Sequence, residues 1–333
     1  MGSRSRKRFA PKLNHHNLLT HFPKDPNCPV CRECKSTRAH CRKKKHGEPD
    51  DLPEPKEFGD AITADHKILN EENESRNKDR VALIVMDRAT RWTQGYAAKT
   101  KEAAEAQRDL QRFVGPQVKP KHIYTDNSKE LKRACEDLGW IQDPSTPHRP
   151  QTDGVVERAV RVIKEGTSCV MVQSGLAEKW WPEGMNCFCF LRNVDVVLEN
   201  GFTAYRNRFG VDFSGPKIPF GAEVKYLPIS SKDKSKTHTF GSKLLRGLFI
   251  GYVQQAGGGW SGDLLIVDWE EMAAATHISE IHIKRFKAQE VTPCTFGAKD
   301  AFRFPLVEGL LNQPGADHLT SPKSDPFCAG GDP

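Results

Sequence analysis
The chain has no apolar run long enough to cross a bilayer, so a membrane-spanning helix is not expected. Nor does an apolar segment follow the basic start MGSRSRKRFAPK, which argues against a secretory signal. Arg6 stands where an N-myristoylated chain carries Ser or Thr. Ten cysteines are scattered over 333 residues without the dense spacing of a disulfide framework. No internal repeat is visible. These absences point to an intracellular protein, nuclear or cytoplasmic, with no membrane partner and length enough for two or three domains.

What is present is charge, unevenly placed. Residues 1–50 hold 13 Lys and Arg against 4 Asp and Glu, or +9, so the other 283 residues carry −2 of the net +7. A basic arm on a near-neutral body suits a polyanionic partner such as nucleic acid; it suits equally a solvated tail with an import signal at RSRKR or RKKK. The patterning divides the chain into four segments: a basic His/Cys-rich stretch at 1–50, an α/β domain at 51–200, a β-rich module at 201–290 and a Pro/Gly/Ser-rich, mobile tail at 291–333.

In the second segment, DAITADHKIL and TRWTQGYAAK read as strands beside RVALIVMD, whose unbroken apolar run suits a strand buried on both faces. KEAAEAQRDLQRFVG is helical with Gly115 as its stop; PKHIYTDN is a short strand and KELKRACEDLG a helix. LAEKWWPEGMNCFCFLRNV is a helix with Pro182 near its first turn. TPHRPQTDGVVERAVRVIKEG opens with Pro147 and Pro150, which discourage helix upstream. Thr152 or Asp153 is expected to cap a helix whose first turn carries Glu157. Beyond about residue 205, GAEVKYLP, LLRGLFIGYV, DLLIVDW and THISEIHIKRF are short strands of a small barrel or sheet.

Three acids stand where such a fold can gather them. Asp65 lies in a strand, with Thr63, Asp65 and Lys67 alternating against Ile62, Ala64 and Ile68. Asp126 ends the strand HIYTDN, where open α/β sheets place their ligands. At about 100° per residue, Arg161 and Lys164 fall within about 40° of Glu157, while Val155, Val156, Ala159, Val162 and Ile163 fill the opposite arc. Carboxylates so placed suit Mg²⁺ or Mn²⁺; a pair of such ions about 4 Å apart serves in-line phosphodiester displacement, with Arg161 and Lys164 on the phosphate backbone. Each acid has a plain structural reading too: an ordinary strand Asp at 65, a helix cap at 126, a dipole partner at 157. Asp60 is the rival to Asp65, and Asp87 a lesser accessory.

The order TADH, YTDN, PHRPQTDGVVER resembles the DDE catalytic core of retroviral and retrotransposon integrases. The Pro-x-x-Pro-Gln-x-x-Gly-Val-Val-Glu run is similar to the family's final acidic motif almost residue for residue. The helices that come after it, and RGLFIGY downstream, look like those of copia-type elements, and the resemblance covers roughly 15–290. It implies an α/β, RNase H-like integrase core, a mixed sheet flanked by helices, with a short N-terminal Cys/His module and a small C-terminal β-rich module. It implies that Asp65, Asp126 and Glu157 are the catalytic metal ligands, with Asn127 and Lys164 at the DNA. The implied activity is that of a DDE polynucleotidyl transferase: metal-dependent 3′-end processing and strand transfer, by a homo-oligomer on element ends and target DNA. The 30 residues between Asp126 and Glu157 are a few fewer than is usual for retroviruses and imply a tighter loop. Two other readings share the same acids, a DNA-binding relic that no longer joins strands and an RNase H-like nuclease that cleaves without joining. The chain carries no Tyr-x-Asp-Asp string of a reverse transcriptase.

HHNLLTHFPKDPNCPVCRECK offers His16, His21, Cys28 and Cys31, a Cys-x-x-Cys half-site that two histidines complete for tetrahedral Zn²⁺. It resembles the His-His-Cys-Cys module that precedes integrase cores. Histidines five apart do not share a helical face, however, and the family's long spacer is missing. His15, Cys34, His40 and Cys41 are rival ligands, and free thiols in a basic tail are the alternative. Lys225, Lys284, Arg285 and Lys287 either touch phosphates or guard a strand edge; Trp260 and Trp269 are read as packing.

Overall fold
The computed structural model describes residues 16–35, 54–126, 128–144, 150–296 and 301–314. After a short helix α1 (Pro29–Cys34), strands β1 (Ala61–Ile68), β2 (Val81–Asp87) and β3 (Thr93–Ala98) form an antiparallel meander. Helix α2 (Ala103–Val114) leads to β4 (His122–Thr125), and α3 (Lys129–Leu138) to β5 (Gln142–Pro144). The sheet order is β3-β2-β1-β4-β5, with β4 parallel to β1 and β5 parallel to β4. This is the mixed, RNase H-like sheet flanked by helices that the resemblance implied.

Every residue of β2 is buried, as its apolar run requires, and its alternation divides the molecule into two cores. Leu83 and Val85 face Leu110 and Phe113 of α2 and Leu131 and Ala134 of α3. Ala82 and Ile84 face the opposite layer, made by helices α4 (Pro150–Ser174) and α5 (Trp181–Asp195). Gly115 ends α2 with φ 84°, a conformation open to glycine, as expected. Pro182 lies at the start of α5.

The start of α4 differs from the sequence expectation. The helix begins at Pro150, so Thr152 and Asp153 stand within its first turn and not at its N-cap, and Glu157 lies seven residues in, about two turns. A proline discourages helix before it but is well suited to be the first helical residue, because its fixed φ is helical and its missing N–H has no partner there.

Helix α5 is buried on nearly all sides, from Met185 through Leu191 to Val194, because it lies between two sheets. After α6 (Ala204–Phe209), a second, antiparallel sheet is built from β6 (Glu223–Tyr226), β7 (Leu245–Gln254), β8 (Trp260–Asp268), β9 (Ile283–Lys287) and β10 (Val291–Pro293), in the order β10-β6-β7-β8-β9. Short helices α7 (Ser231–Lys234) and α8 (Trp269–Ala274) sit in its connections, and β11 (Thr295–Phe296) pairs with β12 (Ala301–Phe302). Phe220, Leu248, Phe249 and Ile266 of this half join Phe188 and Phe190 of α5 in one buried cluster. Pairing of β10 with β6 carries the second sheet past residue 290, and Leu311 is buried in the same cluster as that sheet's core. Among the described residues no helix is long and apolar enough to cross a membrane.

Candidate functional site
Backbone register brings the first two acids together. Parallel β1 and β4 pair from Ala61 with His122 to Ala64 with Thr125, so Asp65 and Asp126 are the next residues of two adjacent strands. Asp65 is also opposite Ile84, whose side chain belongs to the core of α4 and α5. Cross-strand partners share a face, so Asp65 lies on the α4 side of the sheet. On α4, Ala159 and Ile163 are buried and Val162 half-buried, whereas Glu157, Arg161 and Lys164 are exposed along one stripe. The polar face read from the helix wheel is therefore the solvent face.

Charge ties the three acids. The Asp65 carboxyl is pushed above its ordinary range, first by burial and then by the negative charges of Asp126 and Glu157. Asp126 is exposed, and its Oδ1 accepts from the Ser128 amide at 3.2 Å. Capping of α3 falls to Ser128, whose hydroxyl accepts from Leu131 N, so Asp126 is not the helix cap. The rivals have other work. Asp60 accepts from the amides of Lys56 and Glu57 and pairs with Lys121 at 2.7 Å. Asp87 is fully buried and accepts from Gly59 N and from the amide and hydroxyl of Thr90. Asn127 lies outside the described residues.

The His/Cys segment does converge, though by a different local structure from a helix. Asn17 and Phe22 form an antiparallel bridge, and the turn between them brings His16 and His21 side by side. His21 takes a left-handed φ of 50°, uncommon for a non-glycine residue and often a mark of a functional position. His21 Nδ1 lies 3.2 Å from His16 Nε2, 3.6 Å from Cys28 Sγ and 3.9 Å from Cys31 Sγ; Cys31 Sγ is 4.0 Å from His16 Nε2. A tetrahedral zinc site, with bonds of about 2.0 Å to nitrogen and 2.3 Å to sulfur, has edges of about 3.3 to 3.8 Å. The donor set fits such an ion. Burial holds the His21 imidazole down at about 4, neutral as a ligand must be.

Among the described residues this is the one group of His, Cys, Asp and Glu whose ligand atoms lie within 4.8 Å of one another; the carboxylates of Asp65, Asp126 and Glu157 do not form such a group. Of the rival ligands, Cys34 points to Cys169 on α4, and His15, His40 and Cys41 lie outside the described residues. Gln173, near the end of α4, was missed by sequence reasoning: its Oε1 is 3.3 Å from His21 Nε2. No local pattern marks a glutamine that meets a histidine 152 residues away.

Three of the four candidate cations of the second sheet are engaged within the chain, and Lys225 is exposed on β6. Lys284 pairs with Asp233 at 3.0 Å, Lys287 with Asp263 at 2.7 Å, and Arg285 with Asp263. Trp260 donates to Asp263 O and packs on Phe213, and Trp269 lies under Arg246, so both tryptophans are packing residues.

No family model matches the chain. Over 195 residues it is 25% identical to the retrovirus-related Pol polyprotein from transposon TNT 1-94 of Nicotiana tabacum, covering 54% of this chain and 14% of that protein. Over 139 residues it is 28% identical to the Pro-Pol polyprotein of feline foamy virus, covering 40% of this chain and 12% of that protein. The matched part thus spans less than one sixth of the length of these curated relatives. Among solved structures, the catalytic core domain of BIV integrase is 16% identical with a TM-score of 0.35, over 44% of this chain and 92% of that one. A chain of the simian T-cell lymphotropic virus intasome in complex with PP2A regulatory subunit B56 gamma is 16% identical with a TM-score of 0.40, over 79% and 86%. The chain is similar to the Pol polyproteins of a plant transposon and a foamy virus, and the resemblance to retroelement integrases carried by its motifs agrees with that likeness.

Proposed function
We propose that this chain is the integrase portion of a retroelement polyprotein, which processes DNA 3′ ends and joins them to target DNA. The observation that carries the reading is the emergence of Asp65 and Asp126 side by side on parallel strands, on the sheet face covered by the helix that bears Glu157. Three carboxylates supply hard oxygen donors, and the repulsion that raises Asp65 is relieved by a cation. Asp65, Asp126 and Glu157 would hold Mg²⁺ or Mn²⁺, which when bound activates the attacking oxygen and stabilises the leaving one. Asp126 and Glu157 are exposed, so their side chains have room to turn toward Asp65. Arg161 and Lys164, one turn and two turns beyond Glu157 on the same stripe, take the phosphate backbone. Water attacks in end trimming and the new 3′-hydroxyl in joining, without a covalent enzyme intermediate. DNA is the partner, a homo-oligomer assembled on it the working form, and Zn²⁺ the ion of the His/Cys module.

The test is joining of duplex oligonucleotides in Mg²⁺ and in Mn²⁺, comparing wild type with Glu157→Gln. Joining that falls to background in Glu157→Gln supports the proposal. Cleavage without joining would make the chain an RNase H-like nuclease. DNA binding with neither reaction would make it a DNA-binding derivative, a reading to which the ungathered carboxylates lend weight.

A further inference from the structure
We propose that Gln173 of α4 is the positioning residue that orients His21 toward a metal, so that metal binding by the His/Cys module and docking of that module on α4 are one coupled equilibrium. The inference rests on the metal reading of His16, His21, Cys28 and Cys31. It does not depend on the chain's being a strand transferase.

The two histidines are held differently. His16 presents Nε2 to the cluster and donates from Nδ1 to Pro23 O at 2.9 Å, so the module's own backbone orients it. His21 presents Nδ1, which places its proton on Nε2, the atom facing Gln173 Oε1 at 3.3 Å. His21 is 1% exposed, so the proton must be received within the protein. The acceptor comes from the helix that carries Glu157, not from the module. Two further contacts seat the module on the same layer. Asn17 donates to Asp195 at the end of α5, and Cys34 meets Cys169 of α4. An acceptor on α4 that favours the ligating tautomer of His21 strengthens metal binding, and by linkage the metal strengthens the hold of the module on α4 to the same degree.

The test uses the full chain and Co²⁺, whose visible bands report tetrahedral coordination by two sulfurs and two nitrogens, followed by amide hydrogen exchange of α4 with and without Zn²⁺. Wild type is expected to bind Co²⁺ tetrahedrally and to slow exchange over the second half of α4 when loaded. Gln173→Ala is expected to bind Co²⁺ about 10- to 100-fold more weakly and to lose that protection. Gln173→Glu keeps an acceptor and is expected to restore both. If Gln173→Ala melts below wild type in chelator, Gln173→Leu, which keeps the volume and removes the acceptor, gives the same comparison. Unchanged Co²⁺ affinity and unchanged metal-dependent protection without the acceptor overturn the coupling alone. Absence of tetrahedral Co²⁺ binding in wild type overturns the metal reading and the coupling with it. Neither result bears on strand joining.

Discussion

Glu183 and Arg76 face each other at 3.9 Å, with Arg76 stacked 4.2 Å over Trp180. Burial nevertheless wins over attraction: the Glu183 carboxyl is raised to about 7, and the Arg76 guanidinium is lowered, by burial first in both cases. Between pH 4.5 and about 7 the folded protein keeps a proton on Glu183 that the unfolded chain has lost, so this group's contribution to stability falls as pH rises through that window. The loss is on the order of 3 kcal/mol. His21, lowered by burial, works in the opposite sense between about 4 and 6.5. The measurement is therefore the difference between wild type and Glu183→Gln in urea melts from pH 5 to 8; the variant is expected to gain relative to wild type as pH rises. At this scale the candidate acids were legible because their motif is local. Their adjacency was expected from the fold class but not its register, which depends on pairing residue 64 with residue 125 across the chain. The histidine pair was legible as a ligand pair but its local structure was not: a five-residue spacing excludes a shared helix face but not a bridged turn.

Helices α4 and α5 cross where Gly166 meets Phe188. A Cβ at Gly166 would stand 1.9 Å from Phe188 Cζ, and that ring is buried between two helices and a sheet. Gly166→Ala is expected to cost about 2 kcal/mol, overpacking outweighing alanine's better helix propensity. Pairing it with Phe188→Leu should recover part of the loss, read as a coupling energy in a double-mutant cycle of urea melts. Helices α2 and α5 were legible from Gly115 and Pro182, whose backbone preferences act locally. The start of α4 was not, because Pro150 carries the same signature as a loop residue or as a first helical residue, and only the helix of residues 151–174 distinguishes the two.

The whole molecule is organised by the burial of α5 between the two sheets. The change from helix and strand to short strands near residue 205 marked the β-rich module. Helix α5, buried on nearly all sides, packs on both sheets and so ties the two segments together. A chain ended at residue 200 would leave Phe188, Phe190 and Leu191 without Phe220, Phe249 and Tyr252, and is expected to aggregate. The full chain is expected to unfold with coincident fluorescence and circular-dichroism transitions, since Trp92 and Trp180 report one half and Trp260 the other. Separate transitions would show two independent cores. The length of α4 has a consequence of its own. Glu157 and Gln173 are sixteen residues apart on it, about 24 Å at the helical rise. That is about seven steps of B-form duplex at 3.4 Å each. Under the proposed function α4 would serve as a ruler: a duplex lying along it from the metal held at Glu157 would reach the His/Cys module about two-thirds of a turn later, presenting a different side of its grooves.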